Sequence, residues 1–334
     1  MFNEISAADF IARRDEFDVV FDARSPSEFR KAAVPRAINL YALDDDERAS
    51  IGTMYAFSPF EARAFGASLI CKNTARHLLE LGRQRTPASK MAIYCARGGM
   101  RSSSIAIILA HVGYRIWRVT GGFKAYRNEV LSFFTNLPDY RFFVLDGLSG
   151  SGKSSIIRAL SWSIDLENLA NHRGSVFGEI SGVQSATMKF ENELHYQLCR
   201  FERNLPIAIE AESKTIGRAV CPKALYEAMQ RSIRVWIDSP LEDRAKRIAD
   251  EYGAIDQEAF DRAMKRIAHL LPRKIYEKIC KAFNKSDRQE CAYLLLKEHY
   301  DKVYKKPSKI DAVITFDSLQ SVVEKLEEMR SCDT

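Results

Sequence analysis

Residues 142–162 read FFVLDGLSGSGKSSIIRALSW. An apolar run, a glycine-rich turn and an amphipathic run, in that order, leave the chain few options. The turn matches G-x-x-x-x-G-K-[ST] in full, from Gly147 to Ser154. Such a loop works only between a strand and a helix, because the strand end and the helix start aim its N–H groups at one point. A strand–loop–helix unit of this kind brings a parallel sheet with it. The N–H groups of Gly147, Ser149, Gly150, Ser151 and Gly152 would wrap phosphate oxygens, and Lys153 would neutralise them. The Ser154 hydroxyl is the group placed to meet Mg²⁺. The pattern selects a phosphate group rather than a nucleotide, since any diphosphate ester presents similar oxygens.

The rest of the chain repeats the alternation of short β-rich runs with helical stretches, which predicts an α/β fold with parallel sheets. Strands are expected at 19–23, 37–40, 91–95 and 116–120, and helices at 25–33, 61–82 and 101–113, the last capped by Gly113. TNLPDY, 135–140, breaks the series with Asn, Pro and Asp. A second series follows, with strands at 142–147, 206–212, 233–239 and 313–317 and a mostly helical stretch from 241 to 305. The expected division is one domain over 1–135 and another over 140–334. With 334 residues, either half is long enough to bury a core. Seven cysteines without a C-x-x-C pair fit a reducing compartment. The N-terminus carries early acids and no apolar leader, and IAIILAHV at 105–112 is too short to span a bilayer. The expectation is a soluble, cytoplasmic protein with no membrane partner.

A second chemical feature is YCARGGMRSS, 94–103. Cys95 ends an apolar run, ARGGM turns the chain, and Arg101 and Ser102 open a helix. The helix start, the curl permitted by Gly98 and Gly99, and the charges of Arg97 and Arg101 would all favour an anionic sulfur. A reactive, group-carrying cysteine is the reading; a buried cysteine in a tight turn is the competing one. The other six cysteines have no such surroundings and read as structural.

The remaining candidates are less sharply drawn. PIAIEAES, 206–213, ends a strand in Glu210 and Glu212, where a carboxylate opposite the phosphate loop would stand, with Glu210 slightly favoured. Asp238 reads as a structural strand end. Arg244 and Arg247 lie on an amphipathic helix and either face phosphate or serve that helix alone. HRGSVFG and its surroundings place His172, Arg173, Ser175 and Gln184 in a loop expected over the phosphate site. Residues 262–309 hold fourteen Lys or Arg against five Asp or Glu, although the whole chain is only +6. That segment, within a basic helical stretch of about 241–309, suits a polyanion; a solvated lysine-rich face is the alternative. Its aromatics Tyr276, Phe283, Tyr293, Tyr300 and Tyr304 are candidates to stack unpaired bases, one or two at most.

FDVVFDARSPSEFRKAAVPRAINL (17–40) resembles the rhodanese signature, and VTGGFKAYR (119–127) its G-G-x-x-x-W/Y ending. The loop from Cys95 to Arg101 is one residue longer than in sulfur-transferring rhodaneses and matches the related phosphatases, so by itself it does not choose between a chalcogen carrier and a phosphate-recognising cysteine. Taken in order, CARGGMRS, GLSGSGKSS, DLENLANHRGSVFG, FENEL and AIEAESKTIGRAVCP resemble the tRNA 2-selenouridine synthase family over nearly the whole chain. That resemblance implies a rhodanese-like domain followed by a P-loop NTPase-like parallel α/β domain with a helical, basic C-terminal region. It implies a transferase that geranylates the sulfur of wobble 2-thiouridine in tRNA from geranyl diphosphate. Selenium from selenophosphate then replaces the alkylated sulfur. Cys95, Arg97 and Arg101 would serve the selenium step, Gly147–Ser154 would hold the diphosphate, and the basic segment would bind the anticodon stem-loop. No tightly bound cofactor is implied; Mg²⁺ at Ser154 is a candidate, and geranyl diphosphate and selenophosphate are co-substrates. The alternatives are an ATP-dependent kinase or transferase fused to a rhodanese sulfur carrier, a cysteine phosphatase with a regulatory NTPase domain, and a non-catalytic RNA-binding module.

Overall fold

The structure, a computed structural model, describes residues 2–82, 86–172, 184–251, 253 and 255–332. Two compact units divide the chain. The first comprises Met1–Thr135 with Glu191–Tyr196, and the second Asn136–Phe190 with Gln197–Thr334.

The first unit is a five-stranded sheet with order β1-β5-β4-β2-β3, parallel throughout. Its strands are β1 (Asn3–Ile5), β2 (Val19–Asp22), β3 (Ile38–Asn39), β4 (Lys90–Tyr94) and β5 (Arg115–Val119). Its helices are α1 (Ala7–Ala12), α2 (Pro26–Lys31), α3 (Asp45–Phe57), α4 (Pro59–Leu81), α5 (Met100–Val112) and α6 (Gly122–Thr135). β2 is buried along its whole length and β4 all but at Lys90, so both read as unbroken apolar runs. The expected helix over 61–82 is α4, which begins at Pro59. α3 was not expected; a reciprocal cap between Asp44 and Glu47 starts it, and a weakly amphipathic sequence hid it. Gly113 caps α5 in the left-handed conformation at φ 107°, as expected.

The second unit is also a five-stranded parallel sheet, with order β12-β11-β6-β8-β7. The strands are β6 (Phe142–Asp146), β7 (Ser163–Ile164), β8 (Ile207–Glu210), β11 (Ile233–Asp238) and β12 (Ala312–Thr315). A separate antiparallel pair, β9 (Thr215–Ile216) and β10 (Ala219–Val220), projects after β8. α7 (Lys153–Ala159), α8 (Leu166–Ala170), α9 (Thr187–Leu198) and α10 (Lys223–Arg231) are followed by α11 (Leu241–Glu251), α12 (Gln257–Ile267), α13 (Arg273–Asn284) and α14 (Arg288–Leu295). A π-helical turn at Leu296–Tyr300, a short α15 (Asp301–Val303) and the terminal α16 (Leu319–Cys332) complete it.

Two of the packed cores among the described residues of this unit frame its site. One lies around β6, β11, α7 and α16, with Leu145, Ile156, Val235 and Leu326 fully enclosed. The other is built by α12, α13 and α14 around Phe260, Met264, Ile279 and Phe283. The C-terminal ends of β6, β8 and β11 share one edge, which is where ligands sit in open α/β sheets. No described helix is long and apolar enough to cross a membrane.

Candidate functional site

In the first unit, Cys95 follows the last residue of β4 and is 3% exposed. The loop that leaves it is shaped by four glycines rather than two. Gly98 has φ 67°, and a Cβ there would lie 2.7 Å from the Gly121 nitrogen. Gly122 has φ 59°, and a Cβ there would lie 2.2 Å from the Cys95 carbonyl and 2.5 Å from the Gly98 nitrogen. No side chain fits in either place. The start of α6 then holds the loop: the N–H of Phe123 donates to Cys95 O at 2.8 Å and that of Lys124 to Ala96 O at 3.0 Å. VTGGFKAYR is therefore the floor of the cysteine loop.

The sulfur accepts from the Gly99 N–H at 3.2 Å and from the Ser102 hydroxyl at 3.2 Å. Ser102 was not singled out in the sequence, where it is one of three consecutive serines. Arg97 is exposed at the loop surface. The Arg101 guanidinium meets Glu28 at 2.7 Å, and Glu28 also holds Arg48 at 3.2 Å. An acidic partner thus shares the charge that Arg101 was expected to lend to the sulfur.

The D-x-R of the rhodanese-like signature is a buried brace. Arg24 pairs with Asp22 and donates to Ala32 O at 2.6 Å. The Tyr94 hydroxyl donates to Asp22 at 2.7 Å, and Asn39 donates to the carbonyls of Asp22 and Arg24. The Arg24 guanidinium lies 3.7 Å over the Phe123 ring. A fully satisfied buried network of this sort fixes strand ends in place, and one of the ends it fixes is the residue before Cys95.

In the second unit, Gly147, Gly150 and Gly152 take φ values of 151°, 78° and 95°. A Cβ on Gly150 would press on the Arg244 backbone at 2.8 Å, and one on Gly152 would lie 2.4 Å from the Phe316 ring. The Lys153 amine donates to Gly147 O at 2.7 Å and Leu148 O at 3.2 Å, so it lies along the loop it serves. Burial lowers the proton affinity of that amine, against the pull of Glu210, Asp146, Glu212 and Glu167. Asp146, the end of β6, is locked by the Gly147 N–H, Arg234 and the Tyr304 hydroxyl.

Arg244 and Arg247 sit at this loop, with their guanidinium groups already engaged. Arg244 is buried, donates to Ser149 O at 3.1 Å and makes two bonds to Asp301 at 2.9 and 2.7 Å. Arg247 donates to Gly150 O at 2.8 Å and to the Ser239 hydroxyl. Both arginines hold peptide planes of the phosphate loop. His172 and Gln184 converge on the hairpin glycine Gly217, whose Cβ would lie 2.7 Å from each, and neither lines the cavity at the phosphate loop. Arg173 and Ser175 lie outside the described residues.

Three carboxylates gather opposite Lys153 and Ser154. Ser154 donates to Glu167 at 3.2 Å. Glu210 is buried, and its Oε2 has no hydrogen-bond partner. Burial, then the charges of Glu167 and Asp165, push Glu210 up to about 8. Burial, then neighbouring acids, bring Glu167 to about 7, and burial, then Glu210, bring Glu212 to about 7. Glu210 was expected and Glu212 weighed; Glu167 was missed, since only the fold brings α8 to the end of β8. An orphaned carboxylate oxygen beside a hydroxyl suits a cation. No group of three or more side chains among the described residues is arranged to hold a metal alone. Mg²⁺ typically takes one or two protein ligands and completes its shell with substrate phosphates and water, which these residues fit.

The raised proton affinity of Glu210 gives a stability prediction. The folded state keeps this proton up to about pH 8, whereas the unfolded chain releases it near 4.5. The folded state therefore binds more protons in that window, and its stability falls as pH rises through it. Melting temperatures measured without ligand at pH 6 and pH 9 should fall for the wild type and fall distinctly less for Glu210→Gln. Lys153 acts in the opposite sense, so the informative quantity is the difference between variants at matched pH. Equal slopes would show that Glu210 is ionised throughout.

The phosphate loop opens into a cavity of about 530 Å³. Its polar lining includes Gly147, Ser149, Gly150, Lys153, Ser154 and the three glutamates, with Glu251, Arg288, Tyr300, Tyr304 and Lys305 also in the wall. Its apolar lining includes Ile248, Phe260, Phe283, Cys291, Leu295 and Val303. Phe283 is 4% exposed and stacked on Phe260 with centroids 3.7 Å apart. It is core and cavity wall, and the idea of it as a base-stacking residue is corrected. Tyr304 likewise serves Asp146. The cations of α12–α14 remain largely at the surface; Lys265, Lys274, Lys278, Lys281 and Lys285 are exposed.

A family model described as the tRNA 2-selenouridine synthase AAA domain matches residues 140–332, and a rhodanese-like domain model matches 6–129. A tRNA 2-selenouridine synthase from Sulfurovum is 32% identical over 321 residues, covering 85% of this chain and 87% of that protein. One from Shewanella frigidimarina is 29% identical over 347 residues, covering 93% and 95%. One from Shewanella loihica is 36% identical over 238 residues, and that alignment spans 70% of this chain and 64%, under two thirds, of the relative. With the phosphate-loop half matched throughout and the cysteine-loop half matched ahead of it, this chain belongs to the tRNA 2-selenouridine synthase family.

Proposed function

We propose that the second unit binds geranyl diphosphate and transfers its geranyl group to the sulfur of 2-thiouridine in tRNA, and that selenium from selenophosphate then replaces that sulfur. The observation that carries this reading is one cavity walled both by the phosphate loop and by apolar side chains of α11, α12, α13 and α14. A prenyl diphosphate has that distribution of polarity.

In this scheme the loop N–H groups and Lys153 hold the diphosphate and stabilise the charge that grows on it as the allylic C–O bond breaks. Sulfur at C2 takes the geranyl carbon, the uracil N3 proton is lost, and diphosphate leaves. Ser154, Glu210 and Glu167 would hold Mg²⁺, which would neutralise the diphosphate. The apolar chamber keeps water from the allylic carbon. Alkylation turns the sulfur into a leaving group that departs as a thiol. Cys95, with two donors on its sulfur, is assigned to the selenium step as nucleophile toward the alkylated base: its thiolate adds at C2, geranylthiol leaves, the selenium of selenophosphate displaces Cys95 from C2, and water takes the phosphoryl group as phosphate. The exposed cations of α12–α14 would meet tRNA phosphates.

The test is mass spectrometry of nucleosides from 2-thiouridine-containing tRNA incubated with the protein. Geranyl diphosphate alone should yield the geranylthio nucleoside, and adding selenophosphate should yield the selenium nucleoside. ATP turnover with no geranyl product would put the kinase or transferase reading in its place.

A further inference from the structure

The Cys95 sulfur and the Gly99 carbonyl compete for one proton. The Ser102 hydroxyl, buried in the first turn of α5, lies 3.2 Å from the sulfur and 3.2 Å from Gly99 O. A hydroxyl has one hydrogen, so it serves one of them at a time. What decides is how far Gly99 O is already satisfied. A carbonyl oxygen has two lone pairs. Here the Ser103 N–H donates to it at 3.2 Å and the Ser103 hydroxyl at 3.1 Å. Arg118 of β5 explains why the Ser103 hydroxyl points that way, since its guanidinium donates to the same oxygen. An arginine only donates, so Ser103 accepts from it and turns its own hydrogen elsewhere. Arg118 is itself held, donating to Gly98 O at 2.9 Å and to Glu4. With Gly99 O filled from Ser103, the Ser102 proton is left to the sulfur, which also takes the Gly99 N–H at 3.2 Å. Among the described residues, a hydrogen on the sulfur would find Gly99 O alone, at 3.7 Å and already filled.

We propose that Ser103 and Arg118 are positioning residues of the cysteine loop: by filling Gly99 O, they commit the Ser102 proton to the Cys95 sulfur. The inference rests on the reading of Cys95 as a nucleophile, since a sulfur that accepts from two donors is poised to attack rather than to donate. No motif marks this pair. Ser103 is one of three serines in a row, and Arg118 lies on a different strand from the one that Cys95 follows. The arrangement requires that Ser103 act only through Ser102. Partners that act in series do not add: once residue 102 has no hydroxyl, filling Gly99 O has nothing left to direct.

The test uses the full chain and follows alkylation of Cys95 by iodoacetamide across a range of pH, read from the mass of the Cys95 peptide. Access to the buried sulfur sets the plateau of that profile and the sulfur's partners set its midpoint, so a merely structural change moves only the plateau. Ser102→Ala should move the midpoint to higher pH and slow alkylation on the acid side by roughly 10-fold, the scale of a hydrogen bond to a charged group. Ser103→Ala should act in the same direction by roughly 3-fold, and Ser103→Thr, which keeps the hydroxyl, should follow the wild type. The double variant Ser102→Ala with Ser103→Ala should match Ser102→Ala alone. The charges around the loop, those of Arg97, Arg101 and Glu28, Arg118 and Glu4, and the Asp22–Arg24 brace, are kept in all these variants. An unmoved midpoint in Ser103→Ala, or a double variant slower than Ser102→Ala by the full Ser103 factor, would overturn the proposal. Formation of the selenium nucleoside from tRNA that is already geranylated is measured beside it and should fall by the same factors. Alkylation that follows the pattern while selenium incorporation does not would keep the positioning role and overturn the reading of Cys95 as the nucleophile.

Discussion

On the proposed geranylation, Lys153→Ala is expected to lower geranyl transfer by at least about 100-fold in kcat at saturating geranyl diphosphate. Its amine is the cation buried in the phosphate loop, within reach of the carbonyls of Gly147 and Leu148. Removing one positioned group that stabilises developing charge typically costs ~10²–10³ in rate, or about 3–4 kcal/mol of barrier. The loss has a second source. Glu210, Glu167 and Glu212 already repel one another, and Lys153 is a cation that counters them. Without it the carboxylates hold their protons more tightly, and the site loses its complement to a diphosphate. The measurement is single-turnover formation of the geranylthio nucleoside. Normal transfer by this variant would remove the phosphate loop from the geranylation step.

Cys95→Ala should separate the two steps. Selenium incorporation falls by ~10³ or more, while the geranylthio nucleoside still forms and accumulates. The substitution removes the only sulfur that receives both the Gly99 N–H and the Ser102 hydroxyl, the kind of preorganised environment that covalent catalysis depends on. It leaves the second unit's loop and cavity untouched. The measurement is the ratio of geranylthio to selenium nucleoside after incubation with both co-substrates. Equal loss of both products would show that the cysteine loop is needed before sulfur is alkylated, and would end the division of labour between the two loops.

The two glycine-rich loops were legible in the sequence for the same reason. Each must place backbone where no Cβ fits, as at Gly98, Gly147 and Gly152, and that demand leaves a mark on residue choice. The partners of those loops were less legible. Arg101 and Arg244 sit in sequence where phosphate or sulfur contacts would be expected, yet each has an acidic partner, Glu28 and Asp301, far away along the chain. An arginine's target depends on the nearest carboxylate in space. Glu167 shows the converse. It lies in a short helix, α8, with nothing in its local pattern to mark it, and it reaches Ser154 only because α8 packs beside the end of β8.

The apolar chamber was the least legible part. Phe260, Phe283 and Leu295 each belong to the apolar side of a different helix, and an amphipathic stripe reads identically whether it faces a core or a cavity. Periodicity records which side of a helix avoids water and does not record what fills the space beside it. By itself, then, the sequence determined two parallel α/β units, a phosphate-binding loop ending at Ser154 and a shaped loop after Cys95, since each is a local consequence of apolar patterning or of glycine geometry. Only the tertiary structure decided which arginines find an acidic partner, which carboxylates gather, and that the phosphate loop opens into a cavity partly walled by apolar side chains, because these depend on distances between residues that are remote along the chain.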